Sequence, residues 1–214
     1  AAGRPAGRWR EVGDEPGAAG PAPAAPRPAD PGGLVGDVRL LRLDARGDPE
    51  VERVRAAVPR LRVAPGQRRL VTEAVETLPR ADADPDRFPF AVLRAHEPVG
   101  FGIIERGGAV SRLALLLGAA SGGVVGDPRA AVLLRAFYLV PEWQNRRIGR
   151  TACARLDDLV RGVHPGARAV LVAVSEANRP AVRAYLAGGF AATGHRVLLS
   201  ATAGPQAVLR RPLR

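Results

Sequence analysis

"VLVAVSEANRPAVRAYLAGGF", residues 170 to 190, is the stretch on which the fold turns. It opens with a short apolar run rich in valine, the composition of a strand. Asn178 follows, a residue type that caps helix starts by accepting a backbone N–H. Ala181, Val182, Tyr185 and Leu186 then recur at helical spacing, and Gly188-Gly189-Phe190 lead into another strand.

One element upstream the same succession occurs again. "AVLLRAFYLV" (131–140) reads as a strand, and in "PEWQNRRIGRTACARLDDLV" (141–160) Ile148, Ala152, Leu156, Leu159 and Val160 mark a helix. The junction holds Arg146, Arg147, Gly149 and Arg150, and almost no side chain suited to chemistry. A helix start there offers unpaired N–H groups and the positive end of its dipole, which suits phosphate. The other reading is an ordinary helix start with solvated arginines, and the junction by itself leaves both open. The G-x-x-x-x-G-K-[ST] and G-x-G-x-x-G patterns are both absent, so neither a P-loop nor a dinucleotide fingerprint is present.

Working outward, "DVRLLRL" (37–43) alternates as a strand, and residues 48–63 and 67–78 carry helical spacing on either side of "APG". "PFAVLRA" (89–95) and "PVGFGIIER" (98–106) form a hairpin turned at His96 and Glu97. Residues 107–130 read as an irregular insertion. Strand 131–140, helix 148–163, strand 168–174, helix 178–188 and two closing strands near 190–200 and 206–211 complete the order. This predicts an α+β domain over 37–214: a mixed, mostly antiparallel sheet of about seven strands, flanked by helices, with a central βαβ crossover. Residues 1–36 are built from Ala, Pro and Gly without periodicity, with Trp9 as their large apolar residue, and read as a disordered tail.

Composition narrows the function classes. The net charge of +11 invites nucleic acid, but all 32 basic residues are arginine in an Ala/Gly/Pro/Val-rich chain, the pattern of GC-rich coding. Aromatic residues make up 4%, too few for stacking platforms, so nucleic acid is disfavoured as a partner. No run of about 18 apolar residues suggests a membrane span. The single cysteine, Cys153, excludes an internal disulfide and a cysteine-based zinc site; with no apolar leader visible, a cytoplasmic location is expected.

The two segments together resemble the GNAT superfamily of N-acetyltransferases. The family's pyrophosphate loop, [Q/R]-x-x-G-x-[G/A], is matched by Gln144-Asn145-Arg146-Arg147-Ile148-Gly149, with Arg147 in place of the first glycine. Its later segment, N-x-x-A-x-x-x-Y-x-x-x-G-F, is matched by Asn178, Ala181, Tyr185, Gly189 and Phe190. The resemblance implies acetyl-CoA as co-substrate and transfer to a primary amine, and looser likeness upstream points to a small diamine or polyamine acceptor. It implies cofactor contacts from Leu139 and Val140, whose amides would polarise the thioester carbonyl. Further contacts would come from Gln144, Asn145, Arg146, Arg147, Ile148, Gly149, Arg150, Thr151, Asn178 and Tyr185. Tyr185 maps to a general acid for the leaving thiolate. If Arg147 must take φ > 0, arginine bears a steric cost and the loop is expected to shift.

For the general base, Glu105 is the candidate, with Glu142 and Glu176 behind it, and a chain of water that takes the ammonium proton is the alternative. Glu73, Glu76, Asp82, Asp84 and Asp86 form an acidic stretch that would flank the acceptor, or else simply face solvent. His96, His164 and His195 read as structural or exposed. A homodimer is among the expected assemblies. The rival readings are a GNAT-like domain that binds acyl-CoA without turnover, and a basic nucleic-acid-binding protein.

Overall fold

The computed structural model describes residues 37–199 and 204–213; the tail assigned to residues 1–36 lies outside them. Seven strands form: β1 (Val38–Arg42), β2 (Arg87–Arg94), β3 (Glu97–Glu105), β4 (Ala131–Leu139), β5 (Ala169–Ser175), β6 (Ala191–Val197) and β7 (Gln206–Pro212). They make one sheet in the order β1-β2-β3-β4-β5-β7-β6. Every neighbouring pair is antiparallel except β4 and β5, which a helical crossover joins, as parallel strands require. The α+β class and the central crossover are those the sequence predicts.

The helices are α1 (Pro49–Ala57), α2 (Ala74–Asp82), α3 (Gly108–Leu117), α4 (Ser121–Val124), α5 (Ile148–Ala154), α6 (Leu156–Val163) and α7 (Arg179–Ala187). Side chains alternate across a strand, so each sheet face needs its own cover. Ile148, Leu156, Val160 and Tyr185 of α5–α7 pack with Val92, Ile104, Val132 and Val172. Val54 and Leu78 of α1 and α2 pack with Leu93, Phe101 and Ile103. Val110, Leu113 and Val124 of α3 and α4 pack with Leu133, Leu171 and Val208 in a third cluster.

Helix bounds depart from the sequence pattern where a proline or a distant partner intervenes. The helix expected over 48–63 ends at Ala57 and continues as a 3-10 turn, Val58–Arg60, since Pro59 has no N–H to donate. The helix expected over 67–78 begins at Ala74, whose N–H donates to the Tyr138 hydroxyl at 3.0 Å. The hairpin turn falls on Ala95 and His96, with Ala95 at φ 53°. Residues 107–130, expected to be irregular, hold α3 and α4, because Val110 and Leu113 bury one helical face. The helix over 148–163 breaks at Arg155, where Arg211 of β7 donates to the carbonyls of Cys153 and Ala154.

Cys153 packs in the core against α7, and burial pushes its thiol up to about 12, so it is inert. Among the described residues no helix is long and apolar enough to cross a membrane.

Candidate active site

Parallel pairing of β4 with β5 runs only from Ala131 to Leu134, opposite Ala169 to Val172. Just beyond, the register of β4 against β3 slips between Phe101 and Ile103, and Ala136 takes φ 48°. A bulge bends the strand that carries it, so β4 leaves β5 and a gap opens between their ends.

On its other side β4 stays paired: the Val140 N–H donates to the Val99 carbonyl at 3.0 Å. Backbone groups alternate in direction along a strand, so the Phe137 and Leu139 amides point the opposite way, into the gap. This corrects the expected pair of amides. Leu139 faces the opening, the Val140 amide is already used, and Phe137 stands in its place.

Aromatic rings wall the gap. The Phe137 ring lies 6.0 Å from Tyr185, which meets Phe190 edge-on at 5.4 Å. Tyr185, on α7, is only 5% exposed. Burial drives its phenol well above the ordinary tyrosine value, chiefly by desolvating the charged form. The hydroxyl therefore keeps its proton at neutral pH.

The loop between β4 and α5 keeps a glycine-like backbone without the glycine. Asn145 and Arg147 adopt φ of 59° and 63°. Arg147 thus bears the expected steric cost of φ > 0, on the order of 1–2 kcal/mol. The first bond of α5 runs from the Thr151 N–H to the Arg147 carbonyl at 3.0 Å. The amides of Ile148, Gly149 and Arg150 precede it and have no acceptor within the helix. Gln144 braces this loop, its amide donating to the Leu139 carbonyl and to Gln67 Oε1, both at 2.9 Å.

A cleft of about 350 Å³ lies along these groups. Of the residues singled out in the sequence, Leu139, Gln144, Asn145, Arg147, Gly149, Arg150, Asn178 and Tyr185 line it. Four expected residues do not. Besides Val140, Arg146 lays its guanidinium over the Trp143 ring at 5.1 Å, and Ile148 turns its side chain into the core. The Thr151 hydroxyl bonds the Arg147 carbonyl at 3.2 Å. Sequence reasoning missed Phe137, Gln67 and Arg183, which also line the cleft; the aromatic position two residues before Leu139 was the available signal. Asn178 caps α7 by accepting the Ala181 N–H at 3.3 Å. Arg147, Arg150 and Arg183 line this cleft and, among the described residues, no carboxylate does, which suits a polyanion.

A second cleft, of about 560 Å³, meets the first at Val71, Phe137, Asn178, Ala181 and Tyr185. It opens between the two clusters on the sheet face opposite α5–α7, with Ile103 of one and Leu133 of the other in its wall. Glu105 is its sole carboxylate among the described residues. Buried at 3% exposure, it sits 2.9 Å from Arg87 Nε and 3.4 Å from Arg135 Nη1, one arginine per oxygen. The acidic stretch expected beside the acceptor does not line this cleft. Glu73 accepts the Val63 N–H at 3.0 Å, Asp82 pairs with Arg55 and Arg46, Asp84 with Arg87, and Asp86 with Arg106. Glu142 and Glu176 line neither cleft, and Glu176 pairs with Arg196 at 2.6 Å. His164 accompanies the Arg129 carbonyl, and His96 and His195 are exposed.

A mixed sheet parted between its two parallel strands, with a phosphate-ready loop beside the opening, is the fold of acetyltransferases. The aminoglycoside acetyltransferase AAC(6')-Ib in complex with acetyl-CoA superposes with a TM-score of 0.58 at 17% identity, covering 82% of this chain and 93% of that one. A spermidine N-acetyltransferase SpeG chimera from Vibrio cholerae and hSSAT gives 0.54 at 16% identity, covering 82% and 95%. Residues 67–190 match the acetyltransferase (GNAT) family, and the chain belongs to that family. A comparison with curated protein sequences finds no match.

Proposed function

We propose that the protein is an N-acetyltransferase that moves an acetyl group from acetyl-CoA to a primary amine. The observation that carries this reading is the meeting of the two clefts at Tyr185, between a basic, loop-bordered cleft and a separate one. Acetyl-CoA occupies the first. Its pyrophosphate takes the amides at the start of α5 with Arg147 and Arg150, and its pantetheine follows the free edge of β4. The co-substrate is the one named in the complex of AAC(6')-Ib.

In this reading the amine nitrogen, neutral when it attacks, adds to the thioester carbonyl carbon. The Phe137 and Leu139 amides border that position and stabilise the oxygen as charge develops on it. Collapse breaks the C–S bond, the departing thiolate takes the Tyr185 proton, the amide nitrogen loses its extra proton to water, and solvent reprotonates Tyr185. Holding both reactants at one point supplies much of the acceleration. Glu105, expected as the base, has an arginine on each oxygen; we assign it to fixing Arg87 and Arg135, and ammonium deprotonation to water. The diamine or polyamine expected as acceptor would want free carboxylates in the second cleft, and the one there is paired. Spermidine and aminoglycosides belong to the relatives' names. A homodimer is carried within this proposal and is read by light scattering.

The test is thiol release from acetyl-CoA across a panel of primary amines, with desulfo-CoA binding measured alongside. Release with at least one amine supports the reading. Binding without release favours the non-catalytic acyl-CoA-binding alternative, and neither removes the proposal.

A further inference from the structure

Resting on the N-acetyltransferase reading, we infer that the acceptor amine carries an anionic group, a carboxylate or a phosphate, which the second cleft holds by its arginines. Five arginines line that cleft, Arg68, Arg69, Arg80, Arg87 and Arg135, against the single carboxylate of Glu105. Glu105 and Asp84 take up Arg87 and Arg135. Arg68, Arg69 and Arg80 have no carboxylate partner among the described residues.

Three guanidiniums without a carboxylate partner among the described residues, over an apolar floor of Ile103, Leu133 and Ala173, focus a positive potential into the cleft. A diamine would enter it against like charge, its second ammonium having no acid to meet. A carboxylate or phosphate finds planar donors suited to paired hydrogen bonds. The cleft has the room of a small-molecule site and includes the junction at Phe137 and Tyr185, so an anion on the arginines leaves the amine free to reach the thioester. The same charge also favours the neutral form of that amine, since a nearby cation disfavours an ammonium. This fits a site whose only carboxylate is already paired.

The experiment uses 2-aminoethyl compounds that differ only at the other end: β-alanine (carboxylate), phosphoethanolamine (phosphate), ethanolamine (hydroxyl) and 1,2-diaminoethane (amine). 6-Aminohexanoate and cadaverine form a longer pair. With acetyl-CoA saturating, kcat/KM should be about tenfold to a hundredfold higher for the anionic members, and carboxylate against phosphate identifies which anion is read. Arg69→Glu with Arg80→Glu should erase that preference while the KM for acetyl-CoA stays within about twofold. Equal or faster turnover of ethanolamine, 1,2-diaminoethane or cadaverine overturns the inference and leaves N-acetyl transfer standing. If no amine turns over, the transfer reading fails, and calorimetry on the CoA-bound protein decides the anion site separately. Binding of phosphoethanolamine that the double variant loses upholds the site, and no binding overturns it.

Discussion

The two clefts meet at one tyrosine but are built in opposite ways. Apart from Gln67 and Val71, the first cleft comes from two short segments, the end of β4 with its loop into α5, and α7 with its cap Asn178. Much of what it offers is backbone: amides at the free edge of β4 and at the first turn of α5. The second cleft draws on side chains spread from Arg68 to Gln206, brought together by α2, β2, β3, β4, β5, α7 and β7. A backbone-built site tolerates side-chain replacement so long as the chain path and the space are kept. A side-chain-built site keeps its shape under replacement and changes its charge. Substitutions in the two regions should therefore fail differently.

The largest expected effect is steric and falls on the cofactor side. A Cβ at Gly149 would stand 3.6 Å from Ala184 Cβ and 3.7 Å from Leu139 Cδ1, ordinary contact distances. Gly149→Ala should bind CoA nearly as the parent does, whereas Gly149→Leu should fill the cleft and abolish the thermal shift on adding CoA. A full shift in the leucine variant would mean that the pyrophosphate lies elsewhere.

Next comes the packing that sets the two helices beside that cleft. At Gly188 a Cβ would come within 2.4 Å of Cys153 Cβ, so Gly188→Ala must push α7 from α5, at a cost of about 1–3 kcal/mol. The melting temperature should drop by several degrees and CoA affinity with it. An unchanged melting curve would show that the helices are not in this contact.

A pH experiment reads the buried protons between the regions. Burial raises Cys153 and Tyr138 to about 12, and raises Tyr185 as well. Their folded values lie above the unfolded ones, so the native state keeps protons that the unfolded chain loses. Stability should be insensitive to these groups below about pH 8.5 and fall steadily as pH rises past about 8.5 to 10 toward 12. Cys153→Ala should remove the earliest part of that fall. Stability rising through this range would contradict the burial described.

The smallest effect sharpens the loop. Arg147→Gly should stabilise the protein by about 1 kcal/mol, because glycine takes φ near 63° without a Cβ clash. CoA affinity should weaken modestly and become less sensitive to salt, since one screened charge has gone. Destabilisation would show that the arginine side chain contributes more than its backbone costs.

The same contrast explains what the sequence made legible. The succession of strands along the chain and the crossover follow from periodicity that is local, and the resemblance that points to a cofactor loop is carried by Gln144–Gly149 and Asn178–Phe190. What was missed depended on partners far along the chain. Val140 pairs with Val99, α2 starts where Tyr138 meets Ala74, and Arg211 breaks the helix after Ala154. Residues 107–130 hid a helix whose burial rests on only two side chains at helical spacing, Val110 and Leu113. The acidic stretch at 73–86 looked like a lure for cations until four of its five residues met backbone or arginine partners elsewhere. The arginines of the acceptor cleft belong to distant elements, so their convergence has no signature in local sequence.

The most direct test of acetyl transfer at the shared tyrosine is Tyr185→Phe, which removes one hydroxyl and keeps the ring among Phe137 and Phe190. Steady-state thiol release and CoA calorimetry on the same preparation read both clefts at once. We predict kcat and kcat/KM lower together by about a hundredfold, with the dissociation constant for CoA within about twofold of the parent. Unchanged turnover, or loss of CoA binding in step with activity, would contradict the role of Tyr185 as the proton donor at the junction.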